Sequence, residues 1–531
     1  MANKIVKGAA LIGIAGIIVK FLGAFFRIPL TNIIGDVGMS YYSFAYIIYS
    51  VLLVLSTAGL PIAISRLVSE NIAQNKYKNA HKVFRVSLLM MLILGVVTSS
   101  ICFFGSKAIT SWLGNPDANW AVKAIAPALL FVPLASAFRG YFQGRQNMAP
   151  TAISEIVEQF FRVVIGLLMT LMLMDHGEEI TAGGASFGAS AGSFASLFII
   201  WLIYLLNRRV FKYKNLHHLQ EVENTWSIVK KITIIAIPII IGSELVPIMS
   251  LIDINIIMNR LVATGWTYEK AKALYGLLGG FCNSLIAFPQ IFTQAVAISL
   301  VPAVARASAV NNEKKLLENI SLGYRTTMIM AFPCAIGLIV LAKPIMFLLY
   351  PLQKASGAEA APTLVILALG IVSLAASQTS TGILQAIGKQ VVPVKNLLIG
   401  GLFKIAFTYA LVSIPALNIK GAAIGTIIAE TISFILNDIA VRKYTGIKIN
   451  YVLTYVRPFC AAALMGVSAF FIHLVASNVL GNAVGTLLAI AGGGLIYVIM
   501  VFALKAISLD ELAEIKGFDR IIRKVKGKLE R

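Results

Sequence analysis

GAALIGIAGIIVKFLGAFFRIPLTNII, Gly8 to Ile34, is a run in which only Lys20 and Arg27 carry charge. A helix rises about 1.5 Å per residue and the hydrocarbon core of a bilayer is about 30 Å thick, so a run of this length crosses a membrane. Each cation near mid-membrane costs roughly 2.5–3.5 kcal/mol. Seven residues apart, the two lie about 20° apart around a helix and share one face. Two cations on one face of a buried span point to an anion that passes or a carboxylate that stays.

Thirteen further apolar runs follow, at 41–65, 84–105, 120–142, 149–174, 182–206, 230–257, 273–303, 325–350, 361–387, 392–414, 419–441, 453–476 and 483–505. The chain has 531 residues, 58% hydrophobic and 13% charged, against about 45–50% apolar residues in soluble domains. The fold class read from this pattern is an all-α polytopic membrane protein with about fourteen transmembrane helices. Lys4 and Lys7 precede the first span, but no short apolar core with a small-residue cleavage site follows, so the span is expected to be retained. Pro29, Pro61, Pro133, Pro238, Pro247, Pro289 and Pro333 interrupt spans, as transporters tolerate where a cavity or a neighbouring helix satisfies the backbone.

The net charge of +22 marks topology rather than nucleic-acid binding. Lys76, Lys78, Lys82, Arg85, Arg139, Arg145, Arg208, Arg209, Lys212, Lys214, Lys314, Lys315, Lys389, Arg442 and Lys443 fall on the side of the N-terminus. The opposite side holds few cations, among them Lys107, Lys270, Lys272, Lys354 and Lys420, with Asp117, Asp175, Glu178 and Glu179. The positive-inside rule then places both termini in the cytoplasm, and an even span count agrees.

Gly140-Tyr141-Phe142-Gln143, Pro150 and Arg162 recur as Gly382-Ile383-Leu384-Gln385, Pro393 and Lys404. Sidedness is kept, so the expectation is two six-helix lobes as parallel repeats plus two extra C-terminal helices. The boundaries read as an N-terminal lobe 1–207, a cytoplasmic linker 208–229, a second lobe 230–445, helices 13–14 over 446–505, and a basic tail 506–531. In the tail Leu512, Ile515, Phe518, Ile522, Val525 and Leu529 recur at helical spacing between lysines and arginines, which predicts a helix on the anionic lipids of the cytoplasmic leaflet.

Polar residues inside spans supply the candidate sites. Glu155, Glu158, Gln159 and Arg162 share one stripe, with Glu158 and Arg162 spaced to pair; they form either a knot within the first lobe or a charge network of the cavity. Asn283, Gln290 and Gln294 form a second stripe, and Gln378, Thr381 and Gln385 a third, each gluing helices or lining an aqueous route. Glu244 and Asp253 lie in a proline-broken span and are candidates for coupling Na⁺ or H⁺, unless Asp253 pairs with Arg260. Glu430 is expected to pair with Lys404. Tyr42, Tyr46 and Tyr49 read first as an interfacial belt, with sugar stacking as the alternative. Cys102, Cys282, Cys334 and Cys460 have no paired spacing, the histidines form no metal grouping, and no phosphate-binding Gly-Lys-Ser/Thr loop is present. An enzyme, a metal centre and a nucleic-acid partner are therefore not expected.

The segment Phe138-Arg139-Gly140-Tyr141-Phe142-Gln143-Gly144-Arg145-Gln146-Asn147-Met148-Ala149-Pro150-Thr151, followed by Glu158-Gln159, resembles a characteristic stretch of bacterial polysaccharide-biosynthesis flippases. The types it resembles are the MurJ-like lipid II flippases and stage V sporulation protein B, within the multidrug/oligosaccharidyl-lipid/polysaccharide exporter superfamily. Gly59-Leu60-Pro61-Ile62-Ala63-Ile64-Ser65-Arg66-Leu67-Val68 is a further match. The resemblance implies two lobes around a cavity, alternating access, and no cofactor beyond Na⁺ or H⁺ coupling or the membrane potential. It implies that Lys20 and Arg27 stand where the family carries cavity-facing cations, that Asp253 and Asn396 correspond in part to a cation site, and that the last two spans form a groove for a lipid tail. Where typical members carry a cation five residues before the eighth-span proline, this chain has Ser284. The implied substrate is undecaprenyl-pyrophosphate-linked peptidoglycan precursor, lipid II, moved between leaflets of the bacterial plasma membrane, with cell-wall synthesis proteins as partners. Other polyprenyl-linked glycans or a sporulation precursor are the alternatives. A multidrug/cation antiporter would have twelve spans and an acidic cavity, and a non-transporting scaffold would have its charges paired off within each lobe.

Overall fold

A computed structural model describes residues 2–207 and 223–507, the first nine of these by backbone only, and all regular structure among them is helical. Among the described residues, eleven helical runs are long and apolar enough to cross a membrane, and a pair bent by 40°, Lys354–Leu369 with Ile371–Ala386, makes a twelfth. Two of the runs are far too long for one crossing. Leu11–Ala73 has 63 residues and Val452–Ala503 has 52, whereas about 20 suffice. Each is broken at a glycine: Gly35 (φ 66°, ψ −164°) and Gly481 (φ 78°, ψ 167°) take conformations that side chains with a Cβ avoid. Dividing the two runs there brings the spans to fourteen, the number counted in the sequence. The chain is an all-α, multi-pass membrane protein.

The helices fall into two compact units. The first contains residues up to Leu285 together with Ile405–Ala422; the second contains Ile286–Lys404 and the residues from Ala423 on. This partition cuts the chain at other places than the lobes expected from the repeat. The linker and the tail lie outside the described residues, except for residues 223–229 and 506–507.

The first unit holds α1 (Ala2–Thr57), α2 (Leu60–Ala73), α3 (Tyr77–Trp112), α4 (Asn119–Ile125), α5 (Ala128–Gly144), α6 (Ala149–Leu173), α7 (Glu178–Asn207), α8 (Thr225–Ala263) and α9 (Tyr268–Gly276). Pro61 and Pro150 sit in the first turns of α2 and α6, where a missing N–H costs nothing. One core joins α2, α3, α5, α7 and α8 through Ile64, Phe84, Phe138, Tyr141, Ile200 and Ile232, with the Phe84 and Tyr141 rings 4.5 Å apart. The two stretches that carry the family resemblance are the two sides of one helix crossing here. A Cβ on Gly140 would lie 2.9 Å from the Pro61 carbonyl oxygen, and one on Gly144 2.7 Å from that of Ser65. Small residues four apart let the helices touch backbone to backbone, which lipid-embedded helices use in place of a hydrophobic drive.

In the second unit Tyr324 is fully buried with Ile320, Ile383, Leu384 and Val441. The expected helices 13–14 are the two antiparallel halves of Arg457–Ala503, which fold back at Gly481 so that Gly485 lies against Ser477 and Gly493 against Ala469. Its Ala461, Ala462, Met465 and Tyr497 pack on Ile329, Phe332 and Ile336 of Glu313–Val340, and the Tyr497 hydroxyl donates to the Ile329 carbonyl.

Candidate functional site

The stripe on α6 is built into a buried charge triad. Glu158 receives Arg162 Nη2 at 2.7 Å from the same helix, the pairing its spacing predicts, and Arg139 Nη2 at 2.8 Å from α5. The three side chains are 12–14% exposed. Arg139 also donates to the Ser154 hydroxyl (3.0 Å) and the Ser196 hydroxyl (2.7 Å), and Arg162 to the Tyr46 hydroxyl (3.0 Å). Close backbone contact makes this possible. Gly188 and Gly192 of α7 lie against the backbone of α6 at Arg162 and Glu158, so close that a Cβ on Gly192 would overlap the Glu158 carbonyl. Glu155 shares the stripe and feels the Arg139 charge, yet it makes no ion pair or hydrogen bond among the described side chains. Glu158 is thus engaged by Arg139, not by Lys20 or Arg27, and the network is Arg139–Glu158–Arg162 rather than Glu155–Glu158–Arg162. Arg139, placed from the sequence among the cations on the side of the N-terminus, is a buried member of this network.

The tyrosines of α1 are part of this arrangement and not an interfacial belt. Tyr42 and Tyr49 are 4% and 2% exposed. Their rings and that of Tyr46 follow one another at 5.5 and 5.6 Å, and Phe26 closes on Tyr42 at 6.3 Å. The Arg162 guanidinium engages the half-buried Tyr46, while the buried Tyr49 hydroxyl has no hydrogen-bond partner among the described residues.

The first-span cations are different from the triad. Lys20 is exposed and Arg27 half-buried. The Arg27 guanidinium makes no ion pair or side-chain hydrogen bond among the described residues. Its charge reaches the buried hydroxyls of Tyr42 and Tyr275. Asp253 of α8 acts on Tyr275 with the opposite sign. A guanidinium without a carboxylate is what an anion site needs.

Of the remaining candidates, Glu244 is 8% exposed and both its oxygens lack a hydrogen-bond partner among the described residues. Pro238 and Pro247 flank it in α8. Arg260 does not take up Asp253; it donates to the Ser413 hydroxyl at 2.8 Å and stacks 4.3 Å over Tyr409. Asn283 is exposed in the first unit. In the second unit Gln290 and Gln294 are half-buried, and the neighbouring Thr293 hydroxyl donates to Gln378 at 2.8 Å. Asn396 is tied into an amide chain, its Nδ2 donating to Asn437 Oδ1 at 2.8 Å and Asn437 Nδ2 to the Thr381 hydroxyl at 3.2 Å. The Lys404 charge acts on Glu430.

Sequence reasoning missed Lys272. Placed with the loop cations, it is 1% exposed. Its ammonium pairs with Asp117 (2.7 Å) and Glu269 (2.8 Å), donates to the Tyr41 hydroxyl (3.1 Å), and sits 4.7 Å from the Tyr268 ring centre. The Tyr268–Lys272 spacing of one helical turn was a usable signal; the partners from α1 and Asp117 were not.

Comparison with known proteins places these features in a family. Stage V sporulation protein B of Bacillus subtilis (strain 168) is 26% identical over 518 residues, covering 97% of this chain and 98% of that protein. Lipid II flippase MurJ of the same organism is 23% identical over 522 residues, covering 94% and 95%. A solved structure described as lipid II flippase MurJ in an inward closed conformation matches with a TM-score of 0.66 at 16% identity, over 93% of this chain and 99% of that one; at that identity it speaks for the fold. The MatE family model matches residues 272–410. The model for polysaccharide biosynthesis proteins matches residues 5–308, more than half of the sequence, and the chain belongs to that family.

Proposed function

We propose that the chain is a flippase that moves a polyprenyl-pyrophosphate-linked glycan, lipid II first of all, from the inner to the outer leaflet of the bacterial plasma membrane. The observation that carries this reading is the near full-length similarity to the relative named as a lipid II flippase. The unpaired guanidinium of Arg27 supports it, since a diphosphate is the anion such a group binds. In this reading Lys20 and Arg27 meet the diphosphate, and Asn283, Gln290 and Gln294 offer amides to the headgroup. The polyprenyl tail stays in lipid along the last two spans, and both termini lie in the cytoplasm. A membrane potential negative inside favours export of the anion by about 2.3 kcal/mol per charge per 100 mV. Glu244, Asp253 and Asn396 are the proposed coupling residues. Glu244 is buried with neither oxygen hydrogen-bonded among the described residues, a setting that suits a carboxyl carrying a proton.

A sporulation-specific precursor is the second reading, favoured by the 26% identity to stage V sporulation protein B. Complementation separates the two. Growth of cells depleted of their lipid II flippase supports the first; rescue confined to a sporulation mutant supports the second, and rescue of neither counts against both.

A further inference from the structure

Apart from the charged spans, the first unit holds an open cavity of about 500 Å³ at the end of α3 and the starts of α4 and α7, lined among others by Lys107, Ser111, Asp117, Asn119, Trp120 and Glu179. This size is in the range of small-ligand sites. Asn119 is 7% exposed, and its carbonyl oxygen has no hydrogen-bond partner among the described residues. A buried amide oxygen left without a donor is destabilising and points to a donor that arrives with a ligand. Asp117 and Glu179 add acceptors, while Lys107 and Ser111 add donors. Trp120 is 51% exposed, and Lys123 lies over its ring at 5.4 Å.

The donor set selects the ligand class. A metal ion would have Lys107 as a repelling neighbour, and no group of three His, Cys, Asp or Glu side chains suited to a metal occurs among the described residues. An anion would meet two carboxylates. A sugar ring satisfies every member: its hydroxyls both donate and accept, and its C–H face stacks on an indole. Asp117 is also fixed from behind by the buried Lys272, so its carboxylate is held in place rather than free to swing.

We propose that this cavity is a carbohydrate-binding site, separate from the first-span cations and built around Trp120 and Asn119. It rests on the flippase reading only for the source of its sugar, which would be the glycan of the transported lipid; the binding itself does not depend on transport.

The test is saturation-transfer NMR on the full chain in detergent, with N-acetylglucosamine and its β-1,4-linked dimer as probes and free lysine as the cationic control. The expected result is a saturable transfer signal to the sugar, weakened at least tenfold in Trp120→Ala and in Glu179→Gln, and unchanged in Gly494→Ala, where nothing lies within 4 Å. Size-exclusion profiles of the variants establish that they are folded, and the conservative Trp120→Phe keeps part of the signal. Absence of sugar binding in the wild type, binding indifferent to both Trp120→Ala and Glu179→Gln, or binding of lysine in place of sugar each overturns the proposal. Loss of lipid transport with sugar binding intact would strike the flippase reading and leave this site standing.

Discussion

Glu158→Gln removes the charge on which Arg139 and Arg162 converge while keeping the shape of the side chain. At charge separations of about 4 Å and an effective dielectric near 20, each arginine contributes roughly 4 kcal/mol of attraction. Desolvation of three groups that are only 12–14% exposed offsets much of that gain. What the substitution leaves behind sets the cost: two buried guanidinium groups with hydroxyl partners at Ser154, Ser196 and Tyr46 but no counter-charge. Breaking a buried pair from one side typically costs about 3–5 kcal/mol. With an unfolding entropy near 2.1 cal/mol/K per residue and a cooperative body of roughly 300 residues, that is a fall of about 5–8 °C in melting temperature. The assay is thermal unfolding of purified protein in detergent, followed by fluorescence-detected size exclusion, with Arg139→Gln and the double variant completing a cycle. A coupling energy of at least about 1 kcal/mol is expected for groups in direct contact. A melting temperature within about 1 °C of wild type, or additive effects in the cycle, would refute the triad as a structural knot.

Three further outcomes follow from the same coordinates. Lys272→Met removes the ammonium that ties Asp117, Glu269 and Tyr41 together; since both carboxylates reach water, the loss is about 2 kcal/mol, readable as a lower melting temperature. Gly192→Val places a branched side chain on the α6 backbone beside Glu158 and abolishes the folded peak in size exclusion, whereas Gly494→Ala, where nothing lies within 4 Å, leaves it intact. Outside the spans, the Glu223 carboxyl is held below the usual range by hydrogen bonds from Lys231 and Ser227. A depressed carboxyl stabilises the fold above its unfolded value near 4.3, so the advantage of wild type over Glu223→Gln should be full at neutral pH and fade as pH falls through the lower native value.

Much of this architecture was legible in the sequence because lipid imposes one rule on the backbone. Apolar length gave the spans, and helical spacing gave the Glu158–Arg162 pair. The places where reading failed share a cause. Arg139 and Glu158 are 19 residues apart on different helices, and Lys272 meets Asp117 across 155 residues. Periodicity tells which residues share a face of one helix, but not which face of another helix they meet. Tyr46 of α1 meets a partner, Arg162, that lies 116 residues away. The glycines that bring these helices together were visible as the Gly140–Gly144 and Gly188–Gly192 spacings. Their partners became legible only in three dimensions.

The central claim is that a lipid-linked diphosphate crosses the membrane against the unpaired charge of Arg27. Its most direct measurement is transbilayer movement of lipid II in proteoliposomes carrying wild type, Arg27→Ala or Arg27→Lys. The account predicts movement by wild type, a loss of about tenfold or more in Arg27→Ala, equivalent to about 1.4 kcal/mol, and partial recovery in Arg27→Lys. Movement in Arg27→Ala equal to that of wild type, or none in wild type at all, would contradict it.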